Sequence, residues 1–381
     1  MNDPNRQSII DSADIWVVKV GSRVLTDANG RLDRNQVAAI SDQLIAIRNQ
    51  GKQVLLVSSG AVASGIGCLG LSGRPTDLAQ LQAVAAVGQA HLIQTYERFF
   101  AERERHVGQM LLTADDLDDR TRYLNVRNTL MSLLRFGVVP IINENDTVAV
   151  EELQTTFGDN DRLAAMVAGL LWRPLLVILS DVQGLYDRDP SDPSASVINS
   201  VAQIDSPVFD LVKDRRTGLS KGGMASKLKA AQFLTGSGSP VIIAGGRQEN
   251  VLVRLSQGEL LGTLFLPQSR GLAPKKRWIG FTAQCCGEVR VDEGAVKAIS
   301  FEGRSLLAIG ISEVAGDFAK GDIVSVIDRE GKEIARGLTN YSSQEILQIR
   351  GCRSPKIEEI LGQCPYEEVI HRDNMALVPA S

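Results

Sequence analysis

Histidine and cysteine are scarce in this chain of 381 residues, and their positions disfavour the commonest nucleophilic and metal sites. There are three histidines and five cysteines. No histidine lies at metal-ligand spacing from a second ligand, and an odd number of cysteines fits neither a disulfide framework nor a zinc knuckle. A histidine-based triad and a metal hydrolase are therefore disfavoured. We expect the cysteines to be reduced thiols in a cytoplasmic protein.

Long hydrophobic runs and an excess of one charge are also missing. No apolar run approaches the roughly 18–20 residues that a membrane helix needs, so no membrane partner is expected. With 41 basic and 45 acidic residues the net charge is −4, which indicates no general attraction to nucleic acid or anionic membranes. Residues 1–13 are polar and lack the layout of a signal peptide, so we expect a flexible leader there.

What the sequence does contain is a repeating order of apolar runs and helix-like segments. Hydrophobic residues make up 44% of the chain and aromatic residues 5%, and there are 35 glycines, which suit tight turns between strands and helices. Five continuously apolar runs are typical of strands buried on both faces: 15–22, 53–60, 137–145, 174–181 and 240–246. Apolar residues at helical spacing predict helices over 35–50, 77–100, 120–135 and 161–172. This order predicts an α/β fold with a mainly parallel β-sheet sandwiched by helices.

A change in composition near residue 267 divides the chain. We expect an α/β domain over 14–266, a linker over 267–274 and a small, mostly β domain over 275–381. This last segment carries 14 basic and 16 acidic residues, whereas RNA-binding domains usually present a basic patch. An RNA-binding protein remains an alternative only through the basic residues 275–277, which equally suit a solvated linker. RNA binding is thus not expected as the main function, and a role in assembly or regulation is favoured.

Each predicted strand of the α/β domain ends in small, polar or glycine residues. These endings are 21–22, 58–60, 143–145, 180–181 and 245–246. Because ligands of open α/β sheets bind outside the carboxyl ends of the strands, the sequence predicts that these endings line one crevice.

Two clusters of asparagine and aspartate, at 143–146 and 158–161, lie at the ends of apolar elements. Either cluster alone suits an ordinary turn or a helix N-cap. Together they indicate hydrogen bonding to a polar, partly cationic small ligand. Asp146 is suited to an ammonium group, Asn160 to a carboxylate, and Asp161 to orienting a lysine or a metal-bound phosphate.

Glycine-rich stretches raise two different expectations. Residues 65–70, GIGCLG, match the dinucleotide pattern G-x-G-x-x-G, but they begin five residues past Gly60 and the next acid, Asp77, is too near, so a nicotinamide cofactor is disfavoured. Residues 219–234 place two glycines before a helix, which suits phosphate binding, although an ordinary loop is the alternative and no Walker A pattern is present. Lys19 interrupts an apolar strand, either to reach solvent or to meet a phosphate across the crevice.

Seven motifs in order resemble the glutamate 5-kinases, a group within the amino acid kinase family: VVKVGS, VSSGAVASG, VGQMLLT, INENDTVA, FGDNDRLAA, LSDVQGLYDRDP and GGMASKLKAA. The tail from KKRWIGF to VIHRDNM resembles a PUA domain. The resemblance implies the amino acid kinase fold and ATP-dependent phosphorylation of the γ-carboxylate of L-glutamate, which opens proline biosynthesis. Phosphoryl transfer demands positioning and charge neutralisation more than a side-chain nucleophile, in keeping with the scarcity of histidine and cysteine.

The resemblance also implies roles for individual residues. Lys19 and Lys227 would stabilise the transferring phosphoryl group, and Asp161 would organise both lysines. Glutamate would be bound by Ser59, Gly60, Asp146 and Asn160. ATP would be contacted by Ser180, Asp181, Lys221, Gly222, Gly223, Met224 and Lys227. Lys221 is a departure, since the family usually has threonine there, and the backbone role of the two glycines is the firmer expectation.

Further implications concern ligands and partners. Mg²⁺ is expected to bridge the ATP phosphates, with no metal-ligating residues identified. Feedback inhibition by proline, a homodimeric or homotetrameric assembly and transfer of the product to a glutamyl phosphate reductase are also implied. The rival activities are those of kinases with the same fold that act on aspartate, acetylglutamate or carbamate.

Overall fold

A computed structural model describes residues 4–148, 159–212, 222–268, 279–280, 285–362 and 366–378. The chain divides into two compact units: residues 1–117 with 121–271, and residues 118–120 with 272–381. Most of the expected linker over 267–274 lies outside the described residues, and its bounds stay a prediction. Among the described residues, no helix is both long and apolar enough to cross a bilayer.

The first unit is built on one eight-stranded sheet. Its strands are β1 Ile15–Val20, β2 Gln53–Ser58, β3 Val107–Leu112, β4 Val139–Glu144, β5 Pro174–Ser180, β6 Ser200–Val201, β7 Val241–Gly245 and β8 Thr263–Phe265. Their order across the sheet is β3-β4-β2-β1-β5-β7-β8-β6. All neighbours are parallel except β7 and β8. The five predicted strands are all present, and the mainly parallel sheet is confirmed.

The helices of this unit connect the strands. They are α1 Pro4–Asp11, α2 Ser22–Leu25, α3 Arg34–Asn49, α4 Ala61–Cys68, α5 Leu78–Ala101, α6 Ala114–Asp118, α7 Arg120–Arg135, α8 Asp159–Gly169, α9 Ser206–Asp210, α10 Gly222–Gly236 and α11 Val251–Ser256. The four predicted helices correspond to α3, α5, α7 and α8. Side-chain caps explain where two of these four helices begin. Asp33 accepts hydrogen bonds from two backbone N–H groups of α3, and Asp77 accepts one from a backbone N–H group of α5.

The expectation of a flexible leader is wrong for residues 4–11, which form α1. Arg6 and Ile10 are each 1% exposed. Arg6 donates hydrogen bonds to the carbonyl oxygens of Asn199 and Leu261, and Ile10 packs in the core of the α/β unit. The polar sequence conceals this burial because the acceptors belong to distant parts of the chain.

The central strand β1 is buried along its whole length. Its register pairs Val20 with Ser58 of β2 and with Leu179 of β5, so that these three strands end at the same level. Ser180 of β5 pairs with Gly245 of β7, so β7 ends at the same level. The polar endings of neighbouring strands are therefore brought to one edge of the sheet, as the sequence predicts.

Gly65, the first glycine of GIGCLG, serves helix packing. A Cβ atom on Gly65 of α4 would lie 2.0 Å from the carbonyl oxygen of Val84, and one on Gly88 of α5 would lie 1.8 Å from that of Ala61. Both distances are far shorter than any real contact. The two helices therefore lie backbone against backbone, which any larger residue at either position would prevent.

The second unit is mostly β, as predicted, with short helices. Its strands are β9 Gly287–Val291, β10 Leu306–Leu307, β11 Ile311–Gly316, β12 Ile323–Ile327, β13 Glu333–Leu338, β14 Glu368–Ile370 and β15 Met375–Leu377. They form a five-stranded sheet in the order β11-β9-β12-β13-β15 and the pair β10-β14. The helices described here are α12 Glu293–Ser300, α13 Ser343–Ile349 and α14 Pro355–Leu361. This unit has its own apolar core, which includes Val324, Val326 and Tyr341.

Candidate active site

A single buried carboxylate joins two lysines at the carboxyl end of the sheet. Lys19 comes from β1, Asp161 from the first turn of α8, and Lys227 from near the start of α10. Lys19 Nζ lies 2.7 Å from Asp161 Oδ1, and Lys227 Nζ lies 3.0 Å from Asp161 Oδ2. Lys227 Nζ also donates to the carbonyl oxygen of Gly223 at 3.1 Å. The Asp161 side chain is 0% exposed, so these ion pairs are shielded from water.

Burial and charge act in opposite directions on this cluster. Burial opposes ionisation of Asp161, but the charges of Lys19 and Lys227 outweigh it and lower the pKa of the carboxyl group. The pKa of Lys227 is lowered, chiefly by burial, against the opposing attraction of Asp161. Two cations around one anion leave a net positive charge that faces the cavity, which suits an anionic ligand.

Buried polar side chains lie beside this cluster. Asn160 Nδ2 donates to Ser59 Oγ at 3.0 Å and to Asn143 Oδ1 at 3.1 Å. The three residues are 2–5% exposed. Asn143 is part of the cluster 143–146, but the sequence assigns it no individual role, because an asparagine after an apolar run equally suits a turn. Its side chain joins the polar group that lines the cavity.

Asp146 supplies a second acidic group to the same cavity. Its side chain is buried, and its pKa is raised to about 7 by burial first and by the charge of Glu144 second, while Arg74 opposes the shift. A cationic partner would stabilise the ionised form of this carboxylate, because the charge of the partner would offset the cost of burial. Arg74 also lines the cavity. No sequence pattern points to Arg74, since an arginine in a loop of glycine, serine and proline usually faces solvent.

Opposite these groups, the end of β5 and the start of α10 face the cavity. Ser180 Oγ donates to Asp181 Oδ1 at 3.0 Å, and Arg23 Nη1 lies 2.9 Å from Asp181 Oδ2. Burial works against the ionised form of Asp181, but the hydrogen bonds from Arg23 and Ser180 prevail and lower the pKa. Gly222 is the first residue of α10, whose first turn presents backbone N–H groups.

The cavity has a volume of about 1020 Å³. It brings together most of the residues that the sequence singled out: Lys19, Ser59, Gly60, Asp146, Asn160, Asp161, Ser180, Asp181, Gly223, Met224 and Lys227. Lys221 lies outside the described residues, so its role stays a prediction. Residues to which the sequence analysis gives no individual role also line the cavity: Arg23, Arg74, Asn143 and the stretch 186–190.

Comparison with known proteins adds to this geometry. The amino acid kinase family matches residues 14–245, and the PUA domain matches residues 287–361. The chain is 49% identical to a glutamate 5-kinase of Rhodopirellula baltica, over 98% of this chain and 96% of that protein. It is 47% identical to the glutamate 5-kinase of Pseudomonas entomophila, over 98% of this chain and 100% of that protein.

Among solved structures, the UMP kinase of Bacillus anthracis is similar with a TM-score of 0.46 and 14% identity, over 67% of this chain and 97% of that chain. This remote likeness adds nothing to the assignment. The family match covers more than half of the chain, and the relatives match it almost from end to end. The chain belongs to the amino acid kinase family and carries a C-terminal PUA domain.

Proposed function

We propose that this chain transfers the γ-phosphoryl group of ATP to the γ-carboxylate of L-glutamate, forming L-glutamyl 5-phosphate and ADP in the first step of proline biosynthesis. The observation that carries the proposal is the pair Lys19 and Lys227 on either side of buried Asp161, in a cavity that is also lined by buried polar side chains. Near full-length identity to glutamate 5-kinases supports the choice of substrate.

The transfer needs charge neutralisation rather than a general base. A carboxylate is already deprotonated at neutral pH, so its oxygen attacks the γ-phosphorus directly while the bond from that phosphorus to the bridging oxygen breaks and the electron pair leaves with ADP. Both reactants are anions, and their repulsion is the main obstacle. The ammonium groups of Lys19 and Lys227 offset it, and the bonds to Asp161 keep both groups in place as charge shifts.

The pocket beside the lysines suits the amino acid end of glutamate. Asp146 would accept the α-ammonium group, and binding of this cation would lower the raised pKa of the carboxyl group. Ser59 and Asn160 would bind carboxylate oxygens of glutamate. The backbone at Gly60 lies next to them, at the N-terminus of α4, where free N–H groups favour anions.

The other part of the cavity suits ATP. Gly223 and Met224 line it in the first turn of α10, and Ser180 with Asp181 lines it from β5. Together with Gly222 and Lys227, these residues would contact the nucleotide, and we propose the same role for Lys221. The described residues hold no group of three or more acidic, histidine or cysteine side chains suited to a metal ion. We propose that Mg²⁺ binds with the ATP phosphates, where it would add positive charge.

We extend the proposal to the setting of the enzyme. Proline is proposed as a feedback inhibitor, the assembly as a homodimer or homotetramer, and glutamyl phosphate reductase as the consumer of the labile product. A cytoplasmic location is proposed because Cys68, Cys285, Cys286 and Cys352 are free thiols.

The test is release of ADP from ATP and Mg²⁺ with L-glutamate, aspartate or acetylglutamate as the acceptor, with hydroxylamine present to trap an acyl phosphate. We expect glutamate-dependent turnover, a hydroxamate product and inhibition by added proline. Turnover that prefers aspartate or acetylglutamate would overturn the substrate assignment, and absence of turnover with every acceptor would overturn the proposed reaction.

A further inference from the structure

Gln89 lies on α5, behind the proposed glutamate pocket. It is 8% exposed and is not among the described residues that line the cavity. Its Oε1 accepts a hydrogen bond from Asn143 Nδ2 at 2.7 Å. No sequence pattern points to Gln89, since a glutamine in a helical pattern usually faces solvent.

The hydrogen bond between Asn143 and Gln89 is the first of three hydrogen bonds that lead from α5 to the cavity. Asn143 Nδ2 donates to Gln89, so Asn143 Oδ1 faces Asn160. Asn160 Nδ2 donates to this oxygen at 3.1 Å. The second hydrogen of the same Asn160 nitrogen goes to Ser59 Oγ at 3.0 Å. Because a side-chain amide nitrogen carries two hydrogens, these two bonds use both hydrogens of Asn160 Nδ2.

This direction decides what Ser59 offers to a ligand. Its oxygen accepts from Asn160, so its hydroxyl hydrogen is left to donate elsewhere, and Ser59 lines the cavity. The reverse direction would turn the oxygen of Asn160 toward Ser59 and consume that hydrogen. Only the observed direction gives Ser59 a donor for an anionic substrate oxygen.

The helix packing explains why Gln89 reaches this far. Its neighbour Gly88 lies against the carbonyl oxygen of Ala61, where a Cβ atom would come within 1.8 Å. Ala61 begins α4 directly after Ser59 and Gly60, so the close approach holds the backbone of α5 beside the end of β2. A buried glutamine at position 89 therefore meets the end of β4.

We propose that Gln89 is a positioning residue for the amino acid substrate. By fixing the amide of Asn143, and through it that of Asn160, Gln89 directs the hydroxyl hydrogen of Ser59 to a carboxylate oxygen of glutamate. The inference rests on the proposed function and adds to it a residue that does not touch the substrate.

The test replaces Gln89 with methionine, which has a similar volume and no amide. We expect Gln89→Met to raise the KM for glutamate about tenfold, with the KM for ATP changed less than twofold and kcat less than threefold. Thr95→Val is the matched control, because Thr95 is buried on the same helix and its hydroxyl bonds only the carbonyl oxygen of His91 among the contacts described. We expect this control to leave the KM for glutamate within twofold of wild type.

A double-mutant cycle tests the route through Ser59. Ser59→Ala removes the hydroxyl group that Gln89 is proposed to direct, so adding Gln89→Met to it should raise the KM for glutamate less than twofold further. A full tenfold further rise would overturn the route. A KM for glutamate within twofold of wild type in folded Gln89→Met would overturn the proposal itself.

A second variant covers the case in which Gln89→Met does not fold. Gln89→Glu retains an acceptor for Asn143 and is expected to keep the KM for glutamate within threefold, whereas a tenfold rise would contradict the proposal. Wild-type turnover with glutamate is measured first. Its absence would count against the proposed function, whereas normal wild-type turnover with unaffected Gln89→Met would count only against the role of Gln89.

Discussion

Lys227 Nζ lies 3.0 Å from Asp161 Oδ2, so that one fully buried carboxylate joins the start of α10 to the centre of the sheet. The carboxylate also holds Lys19 of the central strand through its other oxygen. Its two oxygens thus set the separation of two cations that belong to different elements.

Asp161→Asn is expected to lower kcat about 100-fold or more, since an amide carries no charge to hold two ammonium groups at a fixed separation. Steady-state kinetics with saturating glutamate and ATP measure this effect. Asp77→Asn is the matched control, because Asp77 caps α5 away from the lysines and asparagine caps helices equally well. A kcat for Asp161→Asn within threefold of wild type would refute its organising role.

Lys227→Met is expected to lower kcat about 100-fold, with a much smaller rise in the KM for glutamate, because its charge acts mainly on the transferring phosphoryl group. Lys229→Met makes the same change on the exposed face of the same helix and should leave kcat within twofold. A change confined to the KM for glutamate would instead assign Lys227 to substrate binding. We expect Lys19→Met to behave as Lys227→Met does.

The dependence of glutamate binding on pH follows from Asp146. Its pKa of about 7 in the free enzyme means that the ionised form, which attracts the ammonium group, is lost as the pH falls through 7. We expect kcat/KM for glutamate to be roughly tenfold lower at pH 6 than at pH 8. Asp146→Asn should lower this parameter at pH 8 and abolish its rise between the two values. An unchanged pH profile in Asp146→Asn would contradict the assignment.

The packing of α4 on α5 gives a prediction about stability. Gly65→Ala would place a Cβ atom 2.0 Å from the carbonyl oxygen of Val84, so the helices must separate at a cost of about 1–3 kcal/mol in unfolding free energy. Gly67→Ala on the same helix meets only the Arg31 side chain at 4.0 Å and should stabilise the protein by about 0.5–1 kcal/mol. Denaturant unfolding measures both. Equal stability of the two variants would contradict the packing account.

The buried strands were predictable from the sequence because strands covered on both faces are continuously apolar, as in 174–181. The strand β3 was missed because Gly108 and Gln109 interrupt its apolar pattern at the edge of the sheet. The helix α1 was missed because the burial of Arg6 depends on carbonyl groups that lie far along the chain.

The residues of the site were likewise predictable only in part. Lys19 and Asp161 stood out because a charge in an apolar strand, or an acid at the start of a helix, is visible locally. The link from Gln89 to Asn143 joins a helix to a strand 54 residues away and depends on the close packing of α4 and α5. No local pattern in the sequence specifies which amide oxygen or nitrogen is turned toward which partner.

In the proposed reaction, a carboxylate oxygen of glutamate attacks the γ-phosphorus of ATP. The most direct measurement uses L-glutamate labelled with ¹⁸O in its γ-carboxylate, with hydroxylamine present to attack the acyl carbon and release phosphate. We expect mass spectrometry to find one ¹⁸O atom in each phosphate released. Phosphate without ¹⁸O would mean that water, not glutamate, accepts the phosphoryl group, and would overturn the proposed reaction.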